Sequence, residues 1–392
     1  MDFDLPPDDD PRRTEVRDWL ASHPSPSGRE LAEAGYVAPH WPRPYGLAAD
    51  PIHQLLIDDE LRRAGARRPT NPIGIGWAGP TLLHAGTPEQ QARWLPALLA
   101  GDEVWCQLFS EPDAGSDLAS LRTRAVRDGD EWVVTGRKVW TSLAQTARWG
   151  ILIARTDPDA PLQQGISYFV CPMDAPGVSV SPIIEMTGAH TFNEVTLDRV
   201  RIPADHLVGE EHRGWALAKV TLANERVSLS SGGALWGFGP TGDDLVAVGR
   251  AAAAAGGAPT AVQRDRLARL HIEAEILRLI RLRTVTAAVR GREPGPEASV
   301  RKVLADEHGQ RLFDLAKDMA GAAGMLTDAG PLGTAPALWH HGFLFGPALT
   351  IGGGTAEVQR SIIAERVLGL PKEPQNVRGE ARSNATAAKL HT

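Results

Sequence analysis

The spacing of apolar residues changes twice along this chain. From Arg13 to about Leu99 it is helical, with loops between. Thr14–Leu20 makes a short amphipathic turn, and His53–Ala64 sets apolar residues opposite charges. Thr87 with Gln90 three residues on forms a capping box, and Ala92–Leu99 carries that helix onward. After Asp102 the period becomes two. Short strands are predicted at Trp105–Phe109, Thr123–Val126, Glu131–Thr135, Gly150–Arg155, Ile166–Val170 and Glu194–Leu197, with Asp128-Gly129-Asp130 as a tight turn. From Gly214 the helical period returns over Trp215–Ala234, Val262–Val289, Ala298–Ala323 and Glu357–Leu368. Gly237–Gly242 and the alanine-rich Ala251–Pro259 read as loops.

Three blocks of helix, strand and helix predict an α+β fold. It would have an N-terminal helical domain over residues 1–104, a middle antiparallel β-barrel or sheet domain over 105–206, and a C-terminal four-helix bundle over 207–371. Residues 1–13 are expected to be disordered, and residues 372–392 to form a mobile tail.

Composition narrows the function. Of 392 residues, 42% are hydrophobic and 23% charged, as in a soluble globular protein. A net charge of −7 with no basic block argues against nucleic acid. No apolar run reaches membrane-spanning length. The acidic, proline-rich start is unlike a targeting peptide, so a cytoplasmic location is expected. Cys106 and Cys171 are the only cysteines and lie far apart in sequence, which suggests neither a disulfide framework nor a zinc site. Adjacent His340 and His341 point to different sides of an element, so no metal site is expected there.

Three stretches carry candidate chemistry. Trp105–Asp117 (WCQLFSEPDAGSD) runs from an apolar strand into a turn of small and acidic residues. Gly115 there is free to take φ > 0, and exposed backbone amides could face a bulky anion. Lys138–Ser142 (KVWTS) follows a large aromatic with two hydroxyls, so that a flat ring could rest on Trp140 while Thr141 and Ser142 offer donors to its edge. Ile351–Pro371 begins with a triple glycine. Taken alone, these read as a hairpin turn, a core tryptophan and a flexible loop. Glu225 lies on one helical stripe with Ala218, Leu222 and Leu229, where desolvation suits a carboxylate to take a proton. Its bland reading is a helix glutamate paired with Arg226 or a bundle neighbour.

Together with Gly86–Glu103 and Leu222–Leu229, these stretches resemble the FAD-dependent acyl-CoA dehydrogenase family from about Leu31 to Pro371. The resemblance implies α,β-dehydrogenation of an acyl-CoA thioester to a trans-2-enoyl-CoA, with electrons passed to an electron-transfer flavoprotein. Most relatives carry the catalytic base as the glutamate of a C-terminal Glu-Gly-Thr, and here that position is Gly353. One branch, like isovaleryl-CoA dehydrogenase, instead places the base on a helix just before an arginine, where this chain has Glu225 and Arg226. By the same resemblance Gln107, Leu108, Phe109, Ser110, Gly115 and Ser116 would cradle FAD, with Ser116 and Arg226 also near the acyl-CoA. Trp140, Thr141 and Ser142 would meet the flavin ring, Thr355 and Glu357 its nucleotide, and the Gly353 amide the thioester carbonyl.

Two departures concern FAD contacts across a subunit interface. Leu235 stands where relatives open an Arg-x-x-Phe-Gly segment, with Phe238-Gly239 present. Asp318 replaces a glutamine opening Gln-x-x-Gly-Gly. They raise a second reading, an FAD-sharing or structural subunit of a hetero-oligomer rather than a homo-oligomer. A third is an acyl-CoA oxidase. Small residues at Ser228 and Ser230–Gly233 leave room for a bulky chain.

Overall fold

The computed structural model describes residues 6–229, 235, 239–254, 257–289, 295–325 and 336–372. The helices α1 (Pro11–Ser22), α2 (Gly28–Glu33), α3 (Pro51–Ala64), α4 (Gly79–Ala85) and α5 (Pro88–Ala100) form the first layer. Asp10, Ser27, Asp50 and Thr87 each accept an N-terminal amide, and proline opens α1, α3 and α5. Ser27 with Glu30 and Thr87 with Gln90 close full capping boxes. The expectation of disorder through residue 13 fails from Pro6 onward. The Asp10 cap starts α1 at Pro11, and the buried guanidinium of Arg13 meets Asp59 at 2.7 Å and Glu60 at 2.5 Å on α3.

The middle layer is an eight-stranded sheet: β1 (Trp105–Leu108), β2 (Arg124–Asp128), β3 (Glu131–Ser142), β4 (Trp149–Arg155), β5 (Ile166–Pro172), β6 (Val178–Ile183), β7 (Phe192–Pro203) and β8 (Leu207–Val208). Its path is β6-β7-β3-β2-β4-β5-β8, with β1 on β4. The sheet is mixed, not antiparallel. β1 runs parallel to β4 from Trp105↔Trp149 to Leu108↔Leu152, and β2 meets β4 in parallel at Arg124↔Arg155. Central β4 is buried on both faces from Trp149 to Ala154, as strands with parallel neighbours commonly are. The period-two signal missed β6, whose residues are exposed or half-buried. Cys106 and Cys171, distant in sequence, flank Gly150 on the strands either side of β4, both buried as free thiols.

The C-terminal layer holds α6 (Gly214–Leu229), α7 (Gly242–Ala254), α8 (Ala261–Val289), α9 (Ala298–Ala320), α10 (Pro336–Leu349) and α11 (Ala356–Ile362), which continues as a wider turn over Ile363–Val367. Six helices among the described residues replace the expected four. Ala251–Ala254, read as loop, completes α7, whose start is a reciprocal pairing of Thr241 and Asp244. Leu245, Val248, Leu270, Leu312 and Phe313 fill the bundle. Leu217 and Ala218 of α6 instead join the core that α5 shares with β1 and β4. Thus α6 sits against the sheet, and this places Glu225. Ser230–Gly233, Phe238 and residues 373–392 lie outside the described residues, as do the side chains of Arg226 and Ser228. Among the described residues no helix is long and apolar enough to cross a membrane.

Candidate active site

Beyond β1 the chain folds back on itself. Glu111 and Ala114 exchange backbone hydrogen bonds of 3.0 and 3.1 Å, so Pro112 and Asp113 make a tight turn. A buried lysine from β3 locks it. Lys138 Nζ donates to Phe109 O at 3.0 Å, to Glu111 Oε1 at 2.9 Å and to Ile153 O at 3.0 Å. Glu111 also accepts from the amides of Arg122 at 2.6 Å and Thr123 at 2.9 Å. Burial pulls Lys138 down to about 8 against the attraction of Glu111. Burial alone would raise Glu111, but the Lys138 charge and the bonds from the Arg122–Thr123 segment outweigh it and hold the carboxyl below its ordinary value.

The same strand then changes face. Trp132, Val134 and Lys138 point inward, but the β3–β7 register shifts between Lys138 and Thr141, so Thr141 is buried and Trp140 is turned out. Trp140 adopts φ +59° and is 59% exposed, a large aromatic held off the surface by a strained backbone. Its edge meets Phe192 at 6.0 Å, and Phe192 stacks at 6.4 Å on Phe345 of α10, itself stacked on His341. Val139 N donates to Ser110 O at 2.9 Å, which joins the two motifs. Ser142 ends β3 opposite Phe192. Thr141 Oγ1 is buried with no partner in the protein, although the Thr141 carbonyl accepts from Asn193 at 3.1 Å.

Glu225 reaches β1 from α6. It is 7% exposed, and Gln107 Nε2 of β1 donates to its Oε2 at 3.3 Å. One turn earlier, buried Thr221 shares hydrogen bonds with Thr81 of α4 at 2.8 Å and with the Tyr168 hydroxyl of β5 at 3.0 Å. Burial pushes the Tyr168 phenol well up. Three elements therefore hold this stretch of α6. Gln107 Oε1, like Thr141 Oγ1, is buried without a protein partner.

Other expected residues stand apart or differ. Gly115 does not take positive φ, and a Cβ there would meet nothing within 4 Å, so the fold itself does not require glycine. Ser116 is exposed, while Leu108 and Phe109 are core residues. Gly353 and Gly354 do adopt left-handed backbone, at φ +66° and +88°. Their loop is anchored inside the bundle, with Gln359 Nε2 donating to Gly353 O at 3.0 Å. Thr355 caps α11 through Val358 N, and exposed Glu357 sits in its first turn. Asp318 pairs with Arg266 at 3.2 Å on α8.

The three layers match known proteins. Sequence profiles of the acyl-CoA dehydrogenase N-terminal, middle and C-terminal domains fit residues 10–102, 106–200 and 212–368. The acyl-CoA dehydrogenase IpdE1 of Mycobacterium tuberculosis is 39% identical over 92% of this chain and 97% of its own length. The chain belongs to the acyl-CoA dehydrogenase family. The acyl-CoA dehydrogenase FadE34 of the same organism is 45% identical over 87% of the chain, which spans only 46% of that larger relative. Among solved structures, a steroid acyl-CoA dehydrogenase, Tcur3481-Tcur3483, superposes with TM-score 0.75 at 32% identity, covering 92% of this chain and 97% of that one. The ChsE4-ChsE5 complex from Mycobacterium tuberculosis does so with 0.73 at 34%, covering 95% and 100%. Acyl-CoA dehydrogenases are generally FAD-dependent oxidoreductases of lipid metabolism.

The sequence pattern named Lys138 only as the start of its motif, with no role, and singled out none of Thr221, Tyr168 and Phe192. For Lys138 a signal existed, since counting by two from Trp132 and Val134 puts it on the buried face. For Thr221 and Tyr168 there was none, because their partners come from three separate elements.

Proposed function

We propose that this acyl-CoA dehydrogenase uses Glu225 as the base that removes the α-proton of an acyl-CoA thioester, as in the branch typified by isovaleryl-CoA dehydrogenase. The observation that carries this is the Glu225 carboxylate, nearly buried and held by Gln107 of the first motif strand. Gly353 has no side chain to do the work. A bound FAD would accept the β-hydrogen as hydride. The residues present fit it: Gln107 Oε1 and Thr141 Oγ1 lack partners, and Trp140 stands out as a surface for a flat ring. Gln107–Ser110, Gly115, Ser116 and Trp140–Ser142 would hold the ring and phosphates, and Thr355 and Glu357 the nucleotide. Ser116 and Arg226 would contact the acyl-CoA. The Gly353 amide, on its left-handed backbone, would donate to the thioester carbonyl as charge develops there. Electrons would leave to an electron-transfer flavoprotein, and the enzyme would work in the cytoplasm. The steroid named for one structural relative points to a bulky acyl chain.

Glu225→Gln tests the base. The variant should keep FAD and bind acyl-CoA with turnover lowered by at least about a thousandfold. Full activity in Glu225→Gln would end the proposal.

A second reading has its own support. Two structural relatives carry paired names, one described as a complex, while Leu235 and the Arg266-bound Asp318 stand where the family resemblance implies residues that would reach FAD across an interface. The chain would then share its flavin with a related, non-identical subunit. The visible spectrum of the chain purified alone decides this. One flavin per chain supports a homo-oligomer, and a colourless folded protein supports the paired assembly. Oxygen consumption during turnover would indicate an oxidase instead.

A further inference from the structure

We propose that Gln107 is a positioning residue that ties the carboxylate of Glu225 to the bound flavin ring, one end of its amide on each. This rests on the reading of Glu225 as the base and extends it to a residue on a different element. Gln107 is fixed by the sheet, because its backbone pairs with Ile151 of β4, a strand buried on both faces. From there its Nε2 donates to Glu225 Oε2 at 3.3 Å. A hydrogen bond to a charged group orients it.

The other end of the amide is the second observation. Gln107 Oε1 is buried and finds no donor in the protein. An amide oxygen in that state is costly unless a ligand supplies the donor. Thr141 Oγ1 of β3 is orphaned too, and the backbones of the two motifs meet at Val139 N and Ser110 O. A flavin ring offers one ring N–H donor, its imide, beside carbonyl and nitrogen acceptors. Gln107 can use that imide N–H, and the hydroxyl of Thr141 can serve an acceptor. Leucine at position 107 would have the volume but neither end. Asparagine would have both ends but would be one methylene too short to span them.

The test compares wild-type protein with Gln107→Leu, Gln107→Asn and Glu225→Gln. Three readings are taken: the side-chain amide resonance of Gln107 in 15N-labelled protein, FAD affinity by absorbance titration of the apoprotein, and steady-state kinetics with the best acyl-CoA thioester of a chain-length and branching panel. The Gln107 resonance, assigned by its disappearance in Gln107→Leu, should shift in Glu225→Gln and shift again when FAD is added. FAD affinity should fall about tenfold in Gln107→Leu and stay within about threefold in Glu225→Gln. Turnover should fall about tenfold or more in both Gln107 variants with KM within about twofold, the pattern of a misplaced base and not of lost substrate binding. The thermal transition of Gln107→Asn, compared with wild type, reads out any folding defect separately. A resonance unmoved by Glu225→Gln, or unchanged FAD affinity in Gln107→Leu, overturns the proposal. An active Glu225→Gln would remove the base assignment alone, since the resonance and FAD readings do not depend on turnover.

Discussion

Lys138 Nζ lies 2.9 Å from Glu111 Oε1, with the lysine side chain fully buried and the glutamate 8% exposed. This pair clamps the turn after β1, the segment proposed to face FAD, to the centre of the sheet. Lys138→Met leaves the carboxylate buried without its cation and should destabilise by about 3–5 kcal/mol. Lys138→Met combined with Glu111→Gln should recover a large part of that. Urea unfolding with unchanged slope would measure both, and a single variant as stable as wild type would contradict the clamp.

Asp306 makes stability depend on acid pH. Burial raises its carboxyl to about 6 while Lys302, 2.6 Å away, pulls it down. The folded state therefore binds a proton that the unfolded chain, near 3.8, releases earlier. Between pH about 4 and about 6 this group lowers stability as pH rises, by at most about 3 kcal/mol, and the loss is complete above about 6. The difference in unfolding free energy, wild type minus Asp306→Asn, should fall across that window. A rise would contradict the sign.

Trp140 is displayed rather than packed. Its removal should cost the fold little, because most of its surface is already in water and a strained φ carries no core contact. Trp140→Ala should keep the melting temperature within about 2 °C and weaken FAD binding by about tenfold, read by absorbance titration. A collapse of the melt with intact FAD affinity would reverse the assignment.

Gly353 offers a backbone test. At φ +66° an alanine costs about 1–2 kcal/mol locally and displaces the amide proposed for the thioester carbonyl. Gly353→Ala should lower turnover more than tenfold with FAD retained, while Gly352→Ala, which lacks positive φ, should change it less than threefold. Equal effects would place the donor elsewhere.

Asp318→Gln introduces the amide that the family resemblance implies at this position. The Arg266 pair it breaks is exposed on both sides and worth under about 1 kcal/mol, so stability should hold. If the departure weakens FAD retention, the variant purified alone should carry more flavin per chain than wild type. An unchanged ratio would shift the cause to Leu235.

The sequence by itself determined the order of helix, strand and helix, because apolar period and capping chemistry act within one element: Asp10, Ser27, Asp50 and Thr87 start their helices from side chains a few residues away. The motif stretches were also readable there. What only the tertiary structure decided is which residues meet. Gln107 and Glu225 are 118 positions apart and touch because α6 shares its core with β1 and β4. The parallel pairing of β1, the outward turn of Trp140 at a register shift, and the burial of Lys138 against Glu111 likewise depend on neighbours that no local pattern specifies. Hydrophobic period fixes a face, and long-range packing fixes what that face will touch.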